Sequence, residues 1–576
     1  MTELYIDGQP VAFPEKMTLK IKKQNPLITK NGTFSLDLNL SLNEINNAKL
    51  YKHIDRLHFN SDFKGRKALL IANNRVFLNG TEAIQKNTDR SVQIQLLSGN
   101  SELNYFIGSD RYISELNLGQ EPELTDSYLN SVLGKRYPEV HFTPAKVRID
   151  DTIYNDDITV GSSTAYTFKN TRIQPYLAGM VHRIITGLGY SIVSNELVGD
   201  EAMCSLYFLN NIDSREYNKM LPGWKAKEFL EECEKFFNIT FDISEHDKSV
   251  RILKCTSDSR FGTEIINNII DEYERSYEAE KSEINYHNVM YDFPSNTSYK
   301  YYDIAPEILA KADVKTFDTY AQLSSFLEVT TQEWIPESKA TGYLESLTLF
   351  YCKEFDTLYI IEPYDYIISE GYETGQATWY YLRPINRFKK IETDPDADFV
   401  SLKFVPAQFH NYPTGNMWFF ATSSCPYQSD KLDAEKEETD IRKYIEKGVT
   451  LFDSKKKSVC IAFYSGLKDV TGSIVPVHLS SIDYLIDSPY CNSVVDEKRW
   501  TLRLDGPYGL HQRYYQVNSR YDDSKEYVIR FITNKIYDQR AEFLINNRLF
   551  VCKELEYTIL NDGVHPIVTG TFFAVK

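Results

Sequence analysis

Methionine is scarce, with 7 in 576 residues, and no stretch approaches the ~18 consecutive apolar residues of a membrane-crossing helix. With a mean hydropathy of -0.41, a helical membrane span is excluded. Glycine and proline, 26 and 21 in number, are too few for a collagen-like or low-complexity chain. The opening Met1-Thr-Glu-Leu-Tyr-Ile-Asp-Gly has neither a basic nor an apolar region, so no secretory signal and synthesis in the cytoplasm are expected. The eight cysteines (Cys204, Cys233, Cys255, Cys352, Cys425, Cys460, Cys491 and Cys552) form no C-x-x-C pair. Most sit among apolar neighbours, which reads as buried, reduced thiols and excludes a disulfide framework or a zinc knuckle. Positive charge is also short: 64 Lys and Arg face 81 Asp and Glu, a net charge of -17. A broad nucleic-acid footprint needs the opposite balance.

The chemistry-bearing motifs are missing as well. No G-x-S-x-G elbow, G-x-x-x-x-G-K-[ST] loop, G-x-G-x-x-G turn or H-E-x-x-H helix occurs. His53 and His58 are the closest histidine pair, and on a strand their odd spacing puts them on opposite faces. Asp394-Pro-Asp396-Ala-Asp398 begins like a calcium loop, but Phe399 stands where the turn needs glycine and Val405 where a bidentate Glu is needed, so it reads as a solvated acidic loop. Cys425 has no neighbouring His or acid to make it a nucleophile. No pair among the 81 acids is singled out for glycoside cleavage. The expectation is a protein that is not an enzyme, with no catalytic, cofactor-binding or metal residues and no cofactor.

What is abundant is aromatic: 41 Tyr, 32 Phe and 5 Trp. Such residues suit pleated, half-buried surfaces and predict a β-rich protein. Length alone predicts three or four folded units. Strands are expected at Leu19–Lys22, Phe34–Leu40 (strict period two), Lys67–Ala72, Arg75–Leu78 and Ser91–Leu97, a spacing that suits a small barrel or sandwich. Helical periodicity then appears over 173–187 and Lys225–Phe237, each followed by strand patterns near Tyr190–Val193, Ile239–Ile243 and Ser249–Leu253. Tyr-rich strands follow at Leu347–Tyr351, Thr357–Ile361 and Thr378–Leu382. The charge run Glu435–Asp440 reads as a linker into a last β region. The fold class expected is mainly β with an α+β middle, small β-barrel domains flanking helix-strand wedge domains. The divisions are 1–115, an N-terminal β-barrel; 116–270, α+β; 271–430, β-rich; and 431–576, a C-terminal β domain that could hold a second barrel.

Two further features stand out. Leu70-Ile-Ala-Asn73-Asn74-Arg75-Val76-Phe77-Leu78 echoes Leu544-Ile545-Asn546-Asn547-Arg548-Leu549-Phe550-Val551. Asn tolerates positive φ, so two unrelated tight hairpins would explain this; two related β-barrels, one at each end, are the other explanation. The runs Trp379-Tyr380-Tyr381, Met417-Trp418-Phe419-Phe420 and Tyr514-Tyr515 would serve as a sugar-stacking platform or interface anchor if exposed, and as core if buried. Consecutive aromatics on one strand point to both faces, so both faces are expected to be covered.

In the order of its elements the chain resembles the tail hub or baseplate hub proteins of long-tailed phages and related contractile injection systems. In that family the corresponding segment runs strand, turn, a Val-Phe pair followed by Gly, and a strand ending near Gly-Ser; here it is Ile71–Gly80 with Val76 and Phe77, then Val92–Leu97 and Ser98-Gly99-Asn100-Ser101. The helices around Ile173–Val193 and Lys225–Leu253 resemble the wedge segments that follow. The resemblance spans roughly residues 1–290 and the C-terminal echo, through motifs of low specificity, and the long C-terminal half departs from the simplest hub layout. It implies a homotrimeric ring between tail tube and spike proteins in a virion or phage-like tail. It also implies no catalysis and a central channel that passes DNA without specific binding. A carbohydrate- or receptor-binding tail or surface protein is the competing expectation, and a polysaccharide-acting enzyme a third.

Overall fold

The computed structural model describes the chain except at 57–64, 105–110, 150–151, 160–165, 222, 245–246, 256–260, 271–272, 278–285, 294–303, 331–333, 345, 347, 355–356, 371–372, 396, 411–419, 424–457, 471–472, 480–499, 507 and 516–520. It is mainly β, with α+β in the middle. The expectations for Glu435–Asp440, Cys425, Cys491, His58 and Met417–Phe419 lie outside the described residues.

Both ends of the chain build one 15-stranded sheet. The first hundred residues supply β1 (Thr2–Ile6), β2 (Gln9–Pro10), β3 (Thr18–Gln24), β4 (Thr33–Ser35), β5 (Leu38–Ser41), β6 (Lys67–Ala72), β7 (Arg75–Asn87) and β8 (Ser91–Ser98). The C-terminal region supplies Tyr521–Ile532, Glu542–Ile545, Arg548–Leu560, Gly563–Val564 and Ile567–Val575, and Thr263–Ile266 and Glu274–Ser276 join from mid-chain. The path runs β2, β1, β6, β7, β8, β4, β3, then 548–560, 567–575, 521–532 and 274–276. Its two halves meet where β3 pairs antiparallel with 548–560, Leu19 opposite Ile559 and Lys23 opposite Leu555. Leu19 and Ile21 point inward with Leu555, Tyr557 and Ile559, into one core shared by both halves. On the outer face Lys20 reaches Glu556 and Lys22 reaches Glu554, each at 2.7 Å.

The echo between the two ends is topological. β5, β6, β7 and β8 follow one another in the chain and lie in the order β6, β7, β8, β5. The strands 521–532, 542–545, 548–560 and 567–575 repeat this, in the order 542–545, 548–560, 567–575, 521–532. Both tight hairpins turn on two left-handed asparagines, Asn73 and Asn74 at φ 53 and 58, Asn546 and Asn547 at φ 48 and 61. Two positive φ angles in a two-residue loop match the twist of the flanking strands. The second strand of each unit is 13 residues long, and its pairing with the third is interrupted once, at Ile84/Lys86 and at Cys552/Glu554.

One expected strand is broken. Phe34–Leu40 splits into β4 and β5, with Leu36 and Asp37 exposed between them. Ser35 turns inward instead of Phe34, because its Oγ accepts the Leu96 N–H at 2.8 Å in the ladder of β8. A buried amide satisfied by a hydroxyl outweighs strict alternation here.

The middle is held by a second core. The helix Leu177–Gly187 is shorter than its pattern; Ile173 precedes it, buried beside the short strand Gln174–Pro175. The helix Ala226–Phe237 follows expectation and ends on left-handed Asn238. Its Phe229 and Phe236 meet Phe404, on which Trp224 stacks at 6.1 Å. The strands Ser191–Asn195, Ser249–Lys254 and Ile239–Ile243 form a three-stranded sheet with 249–254 central. A third, smaller core lies between Tyr320 and Tyr380. It packs the helices Tyr320–Leu327 and Glu337–Leu344 on a five-stranded sheet in which Thr357–Glu370 and Glu373–Ile385 form a long hairpin.

Candidate functional site

Where the large sheet meets the middle, a cleft of about 530 Å³ opens between β3, the Gly99–Asn100 corner, strands 239–243 and 249–254, and residues 536–540. Gly99 turns the chain at φ 61, a conformation that suits glycine. Asn100 then substitutes for a strand: its Nδ2 donates to Phe241 O at 2.6 Å and its Oδ1 accepts from Ile243 N at 3.0 Å. Next to it Asp242 is buried. Arg540 Nη1 donates to both Asp242 oxygens at 2.9 and 2.7 Å, while its Nε and Nη2 donate to Asp538 at 2.8 and 2.6 Å. Arg251 reaches Asp242 at 2.6 Å, and the Arg540 guanidinium lies 4.7 Å from the Phe261 ring centre. Burial works against charge on both Asp538 and Arg540. The mutual bonds outweigh it, holding the Asp538 carboxyl below its ordinary range and raising the Arg540 pKa further. Two carboxylates and two guanidiniums thus saturate one another. This is a clamp between the end sheet and the middle.

The other feature is the margin of the sheet. The strand 274–276 pairs with 521–532 and ends the path. Around it Tyr273 and Tyr277 are 52% and 67% exposed, beside exposed Ile270 and Ile532. Arg275 donates to Tyr277 Oη at 3.2 Å and Tyr273 Oη at 3.3 Å. Its guanidinium is 4.9 Å from the Tyr527 ring, which Arg548 also approaches, at 5.6 Å. Neither arginine has a carboxylate partner among the described residues. Tyr and Arg are the residue types that concentrate binding energy at protein interfaces.

No family model and no curated protein sequence matches the chain. Among solved structures it is similar to the 43 kDa tail protein of prophage MuSo2 from Shewanella oneidensis, at 6% identity and a TM-score of 0.30, over 99% of this chain and 95% of that one. It is likewise similar to the tail protein from Neisseria meningitidis MC58, at 7% identity and a TM-score of 0.31, over 99% and 95%. Superpositions this loose carry no argument.

His53 is half exposed, 4.0 Å from Asp55. The Asp394 loop is organised by an amide: Asn288 Nδ2 donates to Asp394 O and Ala397 O, both at 2.6 Å, and its Oδ1 accepts from Thr393 N and Asp394 N. Val405 is buried in the middle core. Tyr380 points into the third core, while Trp379 lies edge-on to Trp334 at 4.6 Å. Tyr515 stacks on Tyr286 at 4.3 Å and donates to Phe236 O at 2.9 Å; Tyr514 donates to Asp200 at 3.3 Å. The Tyr514-Tyr515 pair is therefore packing, and no platform. All six described cysteines are buried and none is in a disulfide.

Two groupings were not visible in the sequence. His141 and His182 lie 6.2 Å apart beside Tyr137, whose Oη is 3.3 Å from His182 Nδ1. Burial and the Arg183 charge push both histidines down, His141 to about 4. Nearby Cys204 is pushed up to about 11 by burial, then by Asp200, which keeps it a thiol. The other is Glu121, which accepts from Tyr128 and Tyr217 at 2.6 Å each while Arg183 lies 3.8 Å from the Tyr217 ring centre. Spacings of 41 and 96 residues leave no local signal for either. No group of three or more metal-ligating side chains occurs among the described residues.

Proposed function

We propose that this chain is a structural component of a phage or phage-like tail, forming a homotrimeric hub ring between tail tube and spike and catalysing nothing itself. The observation that carries this is the duplication: one chain holds two four-stranded units of the same strand order, hairpin and turn chemistry, fused through β3 and 548–560. A joint between a sixfold tube and a threefold spike needs six similar surfaces from three chains, and one duplicated protomer supplies two. Each unit is read as one lobe of that ring, the two lobes of a protomer sharing one sheet and one core. The net charge of -17 suits a channel through which DNA slides without sticking.

Molar mass in solution, measured by light scattering on the full chain, tests the reading. About 200 kDa, three chains of 66.8 kDa, is expected, with a ring of six similar lobes in negative-stain images. A monomer at every concentration, or a ring of three lobes without internal repeat, would refute it.

A further inference from the structure

We propose that Lys30 and Cys255 form an oxidative cross-link site, at which a peroxide joins the Lys30 amine to the Cys255 sulfur and locks the large sheet to the middle. Lys30 stands at the left-handed end (φ 59) of the short helix Pro26–Thr29, which leads from β3 to β4 in the large sheet. Cys255 directly follows the strand Ser249–Lys254 of the middle; it is 6% exposed and in no disulfide. The fold brings the two together across 225 positions, with Lys30 Nζ donating to Cys255 Sγ at 3.3 Å and to Ile239 O at 2.6 Å. The carbonyl fixes the nitrogen beside the sulfur, within the ~3–3.5 Å separation of a near-attack pair. The chain itself thus supplies both atoms of the new bond.

A positive charge beside sulfur favours the thiolate, the form that peroxides oxidise. Three other cysteines have opposite surroundings. Burial pushes the Cys233 and Cys552 thiols well above the ordinary range, and neighbouring acids (Glu232 and Glu234, Glu554 and Asp538) push the same way. Cys204 is held up by burial and Asp200, its sulfur directed at the Leu197 and Val198 carbonyls. Oxidation is therefore expected at Cys255 and not at these three. In the first step the Cys255 thiolate attacks one oxygen of hydrogen peroxide, the O–O bond breaks and hydroxide leaves, so that sulfur is oxidised to the sulfenic acid and peroxide is reduced. In the second, the Lys30 ammonium gives one proton to that hydroxide and its freed lone pair attacks the sulfur. The S–O bond breaks, and the sulfenic hydroxyl departs with a second amine proton as water. One S–N bond has formed and two waters have left. Sulfenic acids condense in this manner with backbone nitrogen; a side-chain amine takes that place here. The occasion for the reaction rests on the tail reading, since a chain folded in a reducing cytoplasm and released in a virion meets oxidants only after assembly.

The test is mass spectrometry on the full chain, purified under reductant and then exposed to hydrogen peroxide. The expected product is lighter than the reduced chain by two hydrogen atoms, and its digest contains a joined peptide, Lys30 to Cys255, that dithiothreitol separates. Lys30→Arg and Cys255→Ser should each lose that peptide, circular dichroism confirming their folds. Hydrogen exchange at 27–31 and 239–243 should slow in the oxidised wild type and recover on reduction, a change absent from Lys30→Arg. Where a variant does not fold, the wild-type peptide map alone decides. Sulfinic acid at Cys255 without a joined peptide, a peptide joined through another lysine, or a product that keeps an oxygen atom would each overturn the proposal. Failure of the tail reading has a different signature. A monomeric chain that still yields the Lys30–Cys255 peptide removes the ring and leaves the cross-link, and a trimer without the peptide does the reverse.

Discussion

Replacing Arg540 by Met tests whether the clamp at the cleft ties the end sheet to the middle. The substitution keeps an unbranched stem over Phe261 and deletes four hydrogen bonds, two to Asp242 and two to Asp538. Breaking a buried ion pair by removing one partner costs about 3–5 kcal/mol. Asp242 keeps Arg251, however, and the Arg540 side chain is 22% exposed, so about 2–3 kcal/mol is expected once solvent screening is allowed for. The loss is local, because the two elements joined belong to different cores. Global unfolding of a chain with several cores is not two-state, and a single melting temperature would blur the effect. Hydrogen exchange reads it directly. At ~1.36 kcal/mol per tenfold, amides of 239–243 and 537–541 should exchange about 30- to 160-fold faster, while those of β7 and β8 stay unchanged. Arg540→Lys should recover little, since a single ammonium cannot fork to two carboxylates. Unchanged protection at 239–243, or full recovery by Lys, would refute the clamp.

Acid should act in two directions. Burial raises the pKa of Glu82, Glu232 and Glu234, so their folded forms take up protons more readily than the unfolded chain; stability from them is full below the ordinary 4.5 and is lost as pH rises through their raised values. For Asp538 and Asp522, hydrogen-bonded and held below 3.8, stability is present above that value and lost as pH falls through the lowered ones. Thermal stability followed by circular dichroism should therefore hold or rise from pH 7 toward about 5 and fall below about 4; a monotonic fall from pH 7 would contradict it. Gly563→Ala should be costly, because its φ is 143 and a Cβ there would sit 1.8 Å from Asn73 Oδ1. A loss of about 2 kcal/mol or more in the local opening free energy read by hydrogen exchange over 559–564 is expected, and a neutral Gly563→Ala would mean that the Asn73 turn does not pack on this hairpin.

Much of the large sheet was legible in the sequence because its signals are local. Lys67–Ala72, Asn73-Asn74 and Ser91–Leu97 carry alternation and turn chemistry within a few residues, and the Asn546-Asn547 copy does the same. The junction of the halves was not legible, because pairing between β3 and 548–560 joins residues more than 500 positions apart. One trace of it exists in retrospect: Lys20 and Lys22 alternate with Leu19 and Ile21, and Glu554 and Glu556 alternate with Leu555 and Tyr557 in complementary charge. The break at Leu36–Asp37 was hidden for a different reason. Phe34, Leu36, Leu38 and Leu40 make a perfect period of two, and only the amide that Ser35 satisfies in the neighbouring strand overrides it. The clamp was equally invisible, since Asp242, Arg251 and Arg540 are ordinary residues on ordinary strands and loops until the fold brings them together.

The sheet and the middle are also bound together by the path of the chain. The backbone leaves the large sheet after β8, returns as 263–266 and 274–276, leaves again, and comes back at Tyr521. The middle is thus covalently attached at each of these crossings. The segment 263–276 adds hydrogen bonds to the sheet on the way, with Ile269 opposite Phe531 and Ile270 N donating to Arg530 O at 3.0 Å. Asn100 and Arg540 bond the middle at the cleft besides. Separating sheet from middle would require breaking a strand pairing, a side chain that stands in for a strand, and an ion cluster at once. For a protein proposed to sit between a tube and a spike, force entering at one part is then shared by several contacts of different kinds, and the weakest of them, the solvent-touched Arg540 cluster, is where yielding should begin. Single-molecule pulling between residues of β7 and of the helix 226–237 should accordingly show a first event that Arg540→Met brings to lower force, with the sheet still intact; rupture of the sheet before any release at the cleft would reverse that order.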